Sequence, residues 1–118
     1  MGILISSTPK QIIDSVKELL KSLGAKKCVV RREYGCTVFI AEFQHDVILV
    51  TLTTGSFGAK YVSKIVPSSK LRTVTWSCDE VKYSPHGLYV IALSDDELLS
   101  KIKEKVRKVK VLMTHMSE

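Results

Sequence analysis

No apolar run in this sequence approaches the roughly 20 residues that a membrane-crossing helix needs. The longest, Val47-Ile48-Leu49-Val50-Thr51-Leu52, has the length of a strand. The opening Met1-Gly2-Ile3-Leu4-Ile5 is apolar but lacks a basic stretch, and Pro9-Lys10 follows too soon for a leader peptide. Gly2 with Ser6-Ser7 has an acylation-like spacing; the plainer reading is a strand or arm packed on the domain. Cysteine is scarce: Cys28, Cys36 and Cys78 are odd in number and include no Cys-x-x-Cys pair. Each lies in or beside an apolar stretch, as a small buried hydrophobe does, and a reducing cytoplasm is the expected compartment. His45, His86 and His115 add no metal-ligand spacing, so no metal or other cofactor is expected.

What is present is ordinary for a folded chain. Apolar residues make up 45% and charged residues 25% of 118 positions, enough for one core and too apolar for disorder. Without repeats, low-complexity tracts or linkers, residues 1–118 are expected to form a single domain with its core over about 8–113. The net charge is +6 and unevenly spread: Lys101, Lys103, Lys105, Arg107, Lys108 and Lys110 face one acid, Glu104, within the last helical stretch. Such a cluster reads either as a footprint for nucleic acid or an acidic partner, or as a solvated face that suits the negative end of its helix.

Local signals order the elements. Thr8, Pro9 and Gln11 read as an N-cap, first helical residue and capping-box partner. Ile12, Ile13, Val16, Leu19, Leu20 and Leu23 follow at helical spacing, and Gly24 ends the helix. Runs 27–32 and 36–43 around Glu33-Tyr34-Gly35 read as a hairpin. Segment 46–66 is ambiguous. Residues 47–52 have high β propensity, yet Asp46 suits a helix cap and residues 60–65 look helical, with Gly55 and Gly58 between them. Strands are then expected over 71–77, 80–83 and 88–93, the last two joined through Ser84-Pro85-His86-Gly87. Ser94 and Glu97 form a second capping box, opening a helix whose apolar stripe is Leu98, Leu99, Ile102, Val106, Val109 and Met113. Short turns between strands favour an antiparallel sheet.

Catalytic chemistry finds little support. Thr54-Gly55-Ser56-Phe57-Gly58-Ala59-Lys60 fails the phosphate-loop pattern, because its glycines are three apart and Tyr61 stands where Ser or Thr belongs. The cysteines with His45 or His86 make no local nucleophile–base motif. Asp79-Glu80 and Asp95-Asp96-Glu97 sit beside a strand-like run and at a helix start. Binding has more to offer. Phe57, Tyr61 and Trp76 are interface-type residues when exposed and core residues otherwise. No aromatic-and-basic RNP run is present.

The phrases Cys28-Val29-Val30-Arg31-Arg32-Glu33-Tyr34-Gly35, Thr53-Thr54-Gly55-Ser56-Phe57-Gly58-Ala59 and Ser94-Asp95-Asp96-Glu97, taken in this order, resemble the Roadblock family of dynein light-chain-like domains. That resemblance implies an α+β fold of helix, hairpin, helix, three-strand meander and helix. Its five-stranded antiparallel sheet would carry helices on both faces. It further implies a non-enzymatic, cytoplasmic homodimeric adaptor that binds or regulates a small Ras-like GTPase. Leu52, Gly55, Ser56, Phe57 and Lys60 would then form the partner surface, and Leu71, Thr73, Thr75 and Ser77 the dimer edge. The alternative is a small basic nucleic-acid-binding protein that uses Lys101, Lys105, Arg107 and Lys108.

Overall fold

The computed structural model describes residues 9–33, 35–54, 58–68, 77–84 and 87–116. Helix α1 (Lys10–Ser22) buries Ile12, Ile13, Val16 and Leu20, which recur at the spacing of one helical face. It closes as a glycine-terminated helix should: Gly24 has φ 114°, and the N–H of Ala25 returns to Leu20 O at 3.1 Å. Its start is one residue later than the sequence suggests. Pro9 is the capping residue itself and makes no side-chain cap bond. Thr8 lies outside the described residues.

Five strands form one antiparallel meander in the order β1 (Lys27–Glu33), β2 (Cys36–Glu42), β3 (Val47–Thr54), β4 (Tyr61–Ser68) and β5 (Leu88–Ala92). The expected β1–β2 hairpin is present, with Gly35 at φ 73° in its turn. The expected helix within 46–66 is not: the segment is two paired strands, with Thr54 opposite Tyr61. β-branched Val47, Ile48, Val50, Thr51 and Thr53 favour the extended chain. Gly58, which would weaken a helix, instead precedes β4 with φ 74°. β3 is the middle strand and buried nearly throughout, which explains its unbroken apolar run. Pro67 is tolerated because it lies in the end of β4 that β5 does not reach; the β4–β5 pairing stops at Ile65 and Leu88.

Alternation along the strands separates two sets of side chains. Cys28, Phe39, Ala41, Ile48, Val50, Leu52, Tyr61, Ile65, Val90 and Ala92 form the main core with α1 and α3 (Asp95–Met116). The intervening residues form smaller clusters with α2 (Cys78–Lys82): Val81 packs with Val47, Leu49 and Val66, and Cys78 with Cys36 and Val38. Cys36 and Cys78 are joined by a disulfide, with Cα atoms 6.3 Å apart. The expectation of three unpaired cysteines is therefore corrected; only Cys28 is free and buried. Spacing could not reveal a pair 42 residues apart.

The expected strand over 80–83 is also corrected, since those residues fall in and just after α2. Four alternating residues are too few to tell strand from helical turn. Contacts from elsewhere decide the matter: Glu33 Oε1 accepts the Cys78 N–H at 3.0 Å, the disulfide fixes the first residue, and Val81 is fully buried. The run expected as a strand over 71–77 lies outside the described residues up to 76, and Ser77 directly precedes α2. The Ser94 half of the second capping box forms as expected, while its return bond goes to the residue before the cap. Ser94 Oγ accepts the Glu97 N–H at 3.1 Å, and Glu97 Oε1 accepts the Leu93 N–H at 2.7 Å.

Candidate functional site

Of the residues expected on an adaptor surface, Leu52 and Lys60 are among those described. Leu52 is fully buried in the main core, because position 52 of β3 points toward α1 and α3. Gly55, Ser56 and Phe57 lie outside the described residues. Lys60 is exposed, but its Nζ stands 3.1 Å from Asp95 Oδ1. On the same carboxylate oxygen, Tyr61 donates its hydroxyl at 2.6 Å. Burial, with help from Asp95, pushes the Tyr61 phenol from 10.0 up to about 12. The Tyr61 hydroxyl and then Lys60 hold the Asp95 carboxyl below its ordinary range. This trio ties the start of β4 to the first turn of α3, where an acid also suits the helix dipole. Of the expected dimer edge, Leu71, Thr73 and Thr75 are outside the described residues, and Ser77 leads into α2 rather than lying on a strand.

Among the described residues, the cysteines and histidines form no nucleophile–base pair. Cys36 and Cys78 are spent in their disulfide, and burial pushes the Cys28 thiol up despite the nearby Lys17 and Lys21. His45 is exposed, and His86 lies outside the described residues.

The cations of α3 are brought together. Leu98, Ile102, Val106 and Val109 sink into the core and fix the helix's rotation. Lys101, Lys105 and Lys108 then follow one another at i, i+4 and i+7 along one flank, rising about 6 and then about 4.5 Å along the axis. Lys101 locates the start of that flank: its Nζ donates to Ile91 O at 3.0 Å on β5, an edge strand of the sheet. Lys103, Arg107 and Lys110 form a matching row on the other side of the exposed ridge. Lys110 ends that row with its Nζ 4.2 Å from the Phe43 ring centroid.

Pairing differs along the helix. Lys101 is held by Glu97 at 2.9 Å, and Asp95 by Lys60 and Tyr61. Farther along, no ion pair among the described residues engages Lys103, Lys105, Arg107 or Lys108, and Lys103, Arg107 and Lys108 are exposed. The charges at the opening of α3 are thus partly paired, whereas the 103–108 stretch presents its cations without acidic partners among the described residues.

Two features on the face of the sheet opposite this helix escaped the sequence reading. Lys64 is only 3% exposed, and its Nζ donates to Ser84 O at 2.6 Å at the end of α2. It also lies 4.4 Å from the centre of the Tyr89 ring. Tyr83, Tyr89 and Ile91 stand exposed on and beside β5. A sequence signal for the last two existed in the alternation of residues 88–92, where Val90 and Ala92 are the buried set. No protein-family model matches the chain, and comparisons with curated proteins and with solved structures find no match either. Among the described residues, no helix is long and apolar enough to cross a membrane.

Proposed function

We propose that this chain is a binding module for nucleic acid, and that the 103–108 stretch of α3 is its interface. One observation carries the reading: Lys103, Lys105, Arg107 and Lys108 are free of acidic partners among the described residues, on a helix whose rotation the core fixes. Neutralising phosphates with such cations releases counterions, which drives association and makes it salt-sensitive. Leu52, which the adaptor reading places on a partner surface, lies in the core, and β3 stands where that reading expects a helix.

Replacing Lys105, Arg107 and Lys108 together by Gln tests the proposal. The three side chains are not part of the buried stripe, so the fold should persist. Binding to nucleic acid should weaken, and the slope of log K against log salt should flatten by roughly 2–3. An unchanged affinity and slope would assign binding to another surface.

A further inference from the structure

The free edge of β5 separates two unlike surfaces. On one side of the sheet, Tyr83 is 75% exposed, Tyr89 54% and Ile91 52%. Tyr89 and Ile91 are two apart on one strand and share a face. Tyr83 adjoins them, because the Tyr89 hydroxyl donates to the carbonyl of its neighbour Lys82 at 2.6 Å. That bond, with Lys64 Nζ at 4.4 Å from the ring centroid, holds Tyr89 from two directions while over half of the residue stays in water. Around the edge, Lys101 touches Ile91 O, and Lys105 and Lys108 continue its row along α3.

We propose that this edge binds a single-stranded nucleic acid, with bases stacked on Tyr83 and Tyr89 and phosphates following the lysine row. The inference rests on the nucleic-acid reading above and specifies its substrate. Charge complementarity selects a polyanion, and exposed aromatic rings beside the cations select one whose base faces are open. In a duplex those faces are stacked on each other, so the tyrosines would add nothing. Pairing of a protein strand to β5 is disfavoured by its short length and by Lys101, which already occupies the Ile91 carbonyl. Tyr89 also reaches the interface with its rotation restrained, so little freedom is lost on stacking.

Fluorescence anisotropy with an oligothymidylate of about 15 nucleotides, and with a duplex of equal length, tests the proposal. The intact chain should prefer the single strand. Tyr83→Ala should weaken single-strand binding about 10-fold, leave duplex binding nearly unchanged, and be rescued by Tyr83→Trp. The melting temperature should not move, because Tyr83 is an exposed residue. Equal loss on both oligonucleotides, or no loss from Tyr83→Ala and Tyr89→Phe/Tyr83→Ala together, would overturn the stacking edge. The outcomes separate the two readings. If Lys105→Gln/Lys108→Gln still weakens both ligands, the cationic interface stands without stacking; if the intact chain binds neither at low salt, both readings fall.

Discussion

Tyr61 and Asp95 meet across 34 positions of sequence, and their 2.6 Å hydrogen bond joins β4 to the opening of α3. Its consequence is a pH dependence at the alkaline end. The folded Tyr61 titrates at about 12, above its ordinary 10.0. The contribution of this group to stability is therefore complete below pH 10.0 and is lost as the pH rises toward about 12, where the unfolded chain ionises first. An ultraviolet phenolate titration should show one tyrosine near that value, and Tyr61→Phe should remove it. A spectrum unchanged by the substitution would place the raised phenol elsewhere. Sequence alone left Tyr61 undecided between interface and core, because an aromatic beside small residues suits either. Its register opposite Thr54 and Ala92 decides for the core side.

Among the elements, α3 was the most legible. Ser94 and Glu97 are local: the Glu97 N–H donates to Ser94 Oγ as the spacing indicates, and the Glu97 carboxylate accepts from Leu93 N–H, one residue before the cap. Ser94→Ala should cost about 1 kcal/mol in denaturant unfolding, and Ser94→Asp should recover most of it. β3 and β4 were half legible: propensity pointed to strands, whereas Asp46 and residues 60–65 imitated a helix. The pairing of Leu52 with Ser63, continued by five pairs on one side and two on the other, settled what a local window could not. α2 was not legible at all. Five residues do not sustain a helix alone, and this one depends on Glu33, Val81 and the Cys36–Cys78 bond. The bond closes a loop of 42 residues, so its removal should lower stability by about 4 kcal/mol on the chain-entropy account. In Cys36→Ala/Cys78→Ala, hydrogen exchange should quicken at 77–84 before it does in α1 or α3. Uniform loss of protection would mean that α2 is no separate unit.

For the whole molecule, the main feature is where charge stays unpaired. Most of the net +6 lies between Lys101 and Lys110, and the sequence showed this plainly. It could not show which of those cations would be used within the fold. The structure pairs Lys101 with Glu97 and sets Lys110 on Phe43, leaving Lys103, Arg107 and Lys108 exposed. Nor could sequence place exposed Tyr83 and Tyr89 beside the same edge, since that needs β5 at the margin of the sheet. The central claim is that this cationic helix binds nucleic acid. The measurement that tests it most directly is the binding constant of the intact chain for a labelled oligonucleotide over graded salt. The account predicts tight binding at low salt, and a log–log slope of about −0.7 for each phosphate neutralised on a single strand. Absence of binding at low salt, or an affinity indifferent to salt, would contradict it.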